Sequence, residues 1–158
     1  MSTILQVSSG KVAHSDIAGK DTAIIKHRIA GQATLTPAGI EGDEHAFAGH
    51  GTPGKAVLAM TVTGLRVLNA ISASSYGYGQ LGDNLMLSAF PDKTPGSFWH
   101  AGGCVMRVTG ARTPCRVLSR MLGIQLKQLV LADAADLGLY LEVTTPGMLS
   151  EGMTVTAR

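Results

Sequence analysis

The stretch Gly102-Gly-Cys-Val-Met-Arg-Val-Thr-Gly-Ala-Arg-Thr-Pro-Cys-Arg-Val-Leu-Ser-Arg120 reads as a strand, a turn and the start of a helix. Cys104 to Thr109 carries the strand, and Val117, Leu118, Met121 and Leu122 fall on one helical face up to Gly123. Pro114 suits the first helical position, because its ring fixes φ and biases Thr113 toward extended backbone. That reading puts Cys115 in the first helical turn, among unpaired N–H groups. Arg112, Arg116 and Arg120 recur every four residues and would share a helical face. Both features favour thiolate over thiol, so Cys115 is a candidate nucleophile or soft-metal ligand facing an anionic partner. Plain packing is the competing reading for any free cysteine, and it is the expectation for Cys104, between Gly102-Gly103 and Val105-Met106.

Working outward, residues 93–132 hold no Asp or Glu, although the whole chain carries a net charge of only +2. The positive charge is local, which favours a pocket over a nucleic-acid face. The 158 residues are expected to form a single domain spanning 1–158, with 45% hydrophobic and 15% charged content. Two cysteines are too few for a disulfide framework, which points to a reduced, cytoplasmic setting. The N-terminus lacks the pattern of a signal peptide, and no apolar run approaches the about 20 residues that a membrane helix needs.

Short strands separated by turns occupy most of the rest. Strands are expected over Thr3–Ser8, Thr22–Ala30, Gly31–Leu35, Lys55–Thr61, Leu85–Leu87, Leu137–Thr145 and Met153–Ala157. Residues 9–20 read as a polar loop. Thr63 is the expected cap of a helix carrying Leu65, Leu68 and Ile71, and 124–131 fits a short helix or a strand. Six of the sixteen residues from Gly39 to Gly54 are Gly or Pro, marking a long functional loop. These elements add up to a mainly β fold, a β-barrel with a few short helices.

Other candidates are weaker. His45 and His50, with Asp43 and Glu44, offer ligands for zinc or a hard metal, but their spacing on an irregular loop is no coordination signature. Asp43 more simply stabilises its own turn. Alternation places Lys26 and Arg28 on one strand face and His27 on the other. Trp99-His100 is expected to anchor the core at the barrel rim.

Several segments, in order, resemble the MOSC family, named for the C-terminal domain of molybdenum cofactor sulfurase. They are Gly39-Ile-Glu-Gly-Asp-Glu-His-Ala46, His50-Gly-Thr-Pro-Gly-Lys-Ala-Val57, Gly79-Gln-Leu-Gly-Asp-Asn-Leu-Met-Leu87, Arg112-Thr-Pro-Cys115 and Leu137-Gly-Leu-Tyr140. Gly49 and Thr52 depart from the family pattern. The resemblance implies a MOSC-like, pyruvate kinase β-barrel-like fold that binds molybdenum cofactor (molybdopterin). It implies Cys115 as molybdenum ligand and catalytic residue, with Lys26, Arg28 and Arg112 holding anionic edges of the pterin. His50, Gly51, Asp83, Asn84 and Thr113 would complete the cofactor pocket. The implied activity is reduction of a small N-hydroxylated substrate with electrons from a redox partner protein, in a monomer or homodimer. Two alternatives stand beside it: a carrier that holds cofactor, or sulfur as a Cys115 persulfide, and an interaction domain with a degenerate site.

Overall fold

The computed structural model describes all 158 residues. In chain order the strands are β1 (Ser2–Ser9), β2 (Ala13–Ser15), β3 (Lys20–Thr22), β4 (His27–Arg28), β5 (Gln32–Thr36), β6 (Gly39–Ile40) and β7 (Val57–Thr61). Helix α1 (Val62–Ser72) follows, then β8 (Leu85–Leu87), β9 (Phe98–Ala101) and β10 (Cys104–Ala111). Three short helices come next, α2 (Arg116–Leu122), α3 (Leu126–Val130) and α4 (Ala134–Leu137). Strands β11 (Leu139–Thr145), β12 (Gly147–Ser150) and β13 (Thr154–Ala157) end the chain.

Seven strands close on themselves in the order β13-β9-β10-β11-β7-β8-β1, with β1 pairing back onto β13. The mainly β, barrel architecture expected from the turns is therefore the one observed. Every pairing around the ring is antiparallel except β7 with β8, which is parallel and bridged by α1. That pair is buried on both faces, as parallel strands require. Leu85 and Leu87 point into the barrel, whereas Met60 and Met86 point out to meet Leu65, Leu68 and Leu118 under the helices. A separate sheet, β12-β5-β6, adds Leu35, Ile40 and Leu149 to the barrel interior. Trp99 is fully buried there, stacked on Phe90 and donating its indole N–H to Asp92 O at 2.9 Å. It is the core anchor its composition promised.

Local chemistry explains where the strands and helices depart from expectation. In β1 the register slips between Ile4 and Gln6, so the inward face passes from Ser2 and Ile4 to Val7. The expected strand over 22–30 is split, because β3 pairs with the hairpin strand β2 while β4 pairs with β1. Strands β2, β9 and β12 were not expected at all, and the long loop expected from Gly39 opens with the short strand β6 paired to β5. Helix α1 is capped by Thr61, not Thr63, with the Thr61 hydroxyl accepting from Gly64 N at 3.1 Å. Residues 126–130 resolve as helix, and 134–137 as a helical turn before β11. No helix is long and apolar enough to cross a membrane.

Candidate functional site

Helix α2 begins two residues later than Pro114 suggests. Cys115 is its N-cap, in extended backbone (φ −137°, ψ 161°), and its Sγ accepts from Leu118 N at 3.4 Å. Pro114 therefore precedes the cap instead of opening the helix. The three arginines do not share a face either. Arg116 is exposed on the first turn, and Arg120 donates to Ala18 O at 2.7 Å. Arg112 lies ahead of the helix, 7% exposed, with its main-chain N–H tied to Gly138 O.

Cys115 and Arg112 open onto a cleft enclosing about 580 Å³, mouth included. The segment from Thr22 to Lys26 forms one wall. Glu44, His45, Phe47, His50 and Lys55, all from the long loop and the turn that ends it, form the opposite one. The floor comes from the barrel, through Leu58, Gly82, Asn84 and Tyr140. The expected residues Lys26, His50, Asn84, Arg112 and Cys115 thus meet in one cleft, from four separate parts of the chain.

The other expected residues stand apart from it. Arg28 is exposed and grips Glu151 in a two-pronged pair, Nε to Oε1 at 2.5 Å and Nη2 to Oε2 at 2.8 Å. It and Lys26 part company because the strand that would have aligned them is interrupted. Thr113 is exposed and is not among the residues that line the cleft. Gly51 lies behind the lining, at φ +75°, where an added Cβ would come within 2.5 Å of the His45 ring. Its bare backbone lets that ring pack. Asp83 also sits behind the surface, buried, with Oδ2 accepting from Gly79 N at 2.9 Å and Oδ1 without a partner. Burial pushes its carboxyl up, against the pull of the Gly79 hydrogen bond and the Arg112 charge.

Lys26 is committed to an internal partner. Its Nζ lies 2.7 Å from Asp43 Oδ1, with the two side chains 6% and 2% exposed. Asp43 also accepts from Gly10 N and from Asn84 Nδ2. Asn84 in turn joins Leu58 N and Ser8 O, so one polar cluster ties the loop to β1 and β7. Sequence reading took Asp43 for a local turn former; its long-range role leaves no trace in spacing. Arg112 is different. Its one side-chain hydrogen bond runs from Nη1 to Leu81 O at 2.7 Å, and no carboxylate lies within ion-pair distance. A buried cation with no carboxylate in direct contact carries a desolvation cost that an anionic ligand would offset. Lys55 and Tyr140 were missed by sequence reading, although both lay inside motifs already quoted. Lys55 Nζ stands 5.2 Å from the Tyr140 ring centroid.

Burial lowers the proton affinity of both loop histidines from their ordinary value of 6.5. For His50 the charges of Lys55 and Arg112 act in the same direction, whereas for His45 Asp43 opposes the shift. A histidine so held takes up its proton less readily folded than unfolded. Stability is therefore full above 6.5 and declines as pH falls through 6.5 toward the lowered folded values. Replacing both with Gln is expected to flatten urea-midpoint stability between pH 7 and 5. An unchanged slope in the double variant would exclude these two groups as its source.

No group of three or more His, Cys, Asp or Glu side chains converges on a metal-sized position. A metal held here would take one protein ligand, the Cys115 sulfur, and bring its other ligands with it. A cofactor that carries its own metal donors and an anionic tail fits that arrangement. The thiol supplies the soft ligand, and Arg112 and Lys55 supply the positive wall.

The chain's fold is similar to that of several solved proteins. YiiM from Geobacillus stearothermophilus superposes with a TM-score of 0.75 at 18% identity, over 100% of this chain and 75% of that one. YiiM from Escherichia coli gives 0.70 at 19% identity, covering 100% and 71%. The YUAD protein from Bacillus subtilis gives 0.71 at 17% identity, covering 98% and 94%. No curated protein matches the chain. The sequence profile described as MOSC domain matches residues 47–156, which include Cys115, Arg112, Asn84 and Tyr140. The chain belongs to the MOSC domain family.

Proposed function

We propose that this protein binds molybdenum cofactor in the cleft between the long loop and α2, with Cys115 Sγ as the metal's protein ligand. The observation that carries the reading is the placement of a thiol and a buried arginine without an acidic partner on one concave surface. MOSC domains as a class are associated with this cofactor, which agrees with the donor set. When bound, the cofactor supplies two-electron redox chemistry. The protein's own residues hold and shield it. Arg112 and Lys55 meet anionic groups, and the Lys26–Asp43–Asn84 cluster keeps the loop wall against the barrel. Phe47 is held at the mouth by Lys20, whose Nζ lies 4.7 Å from the ring centroid.

The activity proposed is reduction of a small N-hydroxylated substrate, with electrons from a redox partner protein. Half-buried Cys115 and the apolar lining of Ile24, Leu58 and Val117 give a site that excludes much of the solvent around the reacting group. The test is metal and pterin analysis of protein made in a cofactor-producing host, wild type beside Cys115→Ala. Near-stoichiometric molybdenum and pterin are expected in the wild type, with the metal lost in the variant. Wild-type protein without either would remove the cofactor reading, and mass analysis for an added sulfur on Cys115 would then test the persulfide carrier.

A further inference from the structure

Tyr140 is 8% exposed, lines the cleft, and differs from the chain's other part-buried tyrosine in one respect. The Tyr76 hydroxyl donates to Met121 O, whereas the Tyr140 hydroxyl has no protein partner. Nor is it sealed in the core, since the buried polar side-chain atoms without partners are Asp83 Oδ1 and Ser97 Oγ. A buried ring whose hydroxyl reaches the cleft without a protein partner leaves that hydroxyl free to bond a ligand atom held there. The ring itself is firmly held. Its main chain is paired on both sides, opposite Leu58 in β7 and Gly110 in β10. The Thr109 hydroxyl donates to Tyr140 O, Lys55 covers one face, and the His50 ring centroid lies 6.2 Å away.

We infer that Tyr140 is a catalytic residue of the proposed reduction, donating a hydrogen bond and then a proton to the substrate oxygen that leaves. The inference rests on the cofactor reading above. Burial keeps the side chain in its neutral, proton-bearing form, and both Arg112 and Cys115 are within electrostatic reach. For a hydroxylamine the balance is R–NH–OH + 2 e⁻ + 2 H⁺ → R–NH₂ + H₂O. The N–O bond breaks as the substrate takes up two electrons from a one-electron reductant used in two equivalents. The phenolic proton goes to the departing oxygen, which leaves as water. A second proton from solvent completes the amine, and another restores the phenol.

The experiment compares cofactor-loaded wild type and Tyr140→Phe, with reduced methyl viologen as donor and phenylhydroxylamine as substrate. Metal and pterin content are expected to be equal in both, with unchanged Tm, because the hydroxyl has no protein partner to lose. The variant is expected to lose about 10²-fold in kcat with little change in KM. Without reductant, calorimetry should show wild type preferring phenylhydroxylamine to aniline, a preference that the variant lowers about fivefold, the scale of one hydrogen bond. A fully loaded variant with wild-type kcat and preference would overturn the role of Tyr140 while leaving the cofactor reading intact. A lower Tm with unchanged preference would make the hydroxyl structural. Wild-type protein without metal or pterin would overturn the cofactor reading, and this role with it.

Discussion

Lys26→Met is expected to destabilise the protein by about 3–5 kcal/mol, because it leaves the Asp43 carboxylate buried without its cation. Asp43 is 2% exposed in its side chain, so water cannot replace the missing ammonium without opening the loop. Two hydrogen bonds remain to it, from Gly10 N and Asn84 Nδ2, and these soften the loss without cancelling the charge. The companion Asp43→Asn keeps an oxygen for Gly10 but strands the lysine. The double variant, Lys26→Met with Asp43→Asn, removes both charges and should recover most of the stability lost by Lys26→Met alone. Urea unfolding of the four proteins makes a closed cycle, and a coupling of more than about 1.5 kcal/mol is expected. Additive losses would show that the pair is solvated in solution and does not pin the loop.

Arg112→Met should separate binding from stability. The guanidinium is buried with one carbonyl partner and no carboxylate in ion-pair contact, so in the apoprotein only the longer-range pull of Asp83 offsets its desolvation cost. A methionine of similar length fills the space with apolar atoms, and Tm of the cofactor-free variant is expected to equal or exceed that of wild type. Cofactor content should fall at least about tenfold, since one charged hydrogen-bonding partner of an anion is worth roughly 1.5–3 kcal/mol. A site that trades stability for a ligand gives this opposed pair of results. A variant that unfolds readily yet keeps its cofactor would mean that Arg112 is a structural residue holding Leu81.

The barrel was legible because its interior obeys alternation wherever a strand has a single register, as in β10, where Cys104, Met106 and Val108 point inward. Strands β2, β9 and β12 were hidden for different reasons. β2 is a polar three-residue arm with no buried face. β9 and β12 each follow turn-rich sequence and run only four residues. Around the cleft, Cys115 and Arg112 could be singled out because their chemistry is written into four consecutive residues. The commitment of Arg28 to Glu151 and of Lys26 to Asp43 could not, since each partner lies far along the chain. Tyr140 looked like one more core position in an apolar strand. Only the three-dimensional arrangement shows that its hydroxyl was left without a partner.

Closing the ring through β1 and β13 has a kinetic consequence. Thr3 pairs with Thr154, so the contact that completes the barrel joins nearly opposite ends of the chain. As the polypeptide leaves the ribosome, β1 can align with β8 while its other edge waits for a strand that has yet to be made. Loop-closure entropy must be overcome before that last pairing gives anything back, which places the fold among slow formers with an edge exposed in the interim. Until Thr154–Ala157 are made, β1 and β9 lack the strand that joins them, and that interval is when self-association competes with folding.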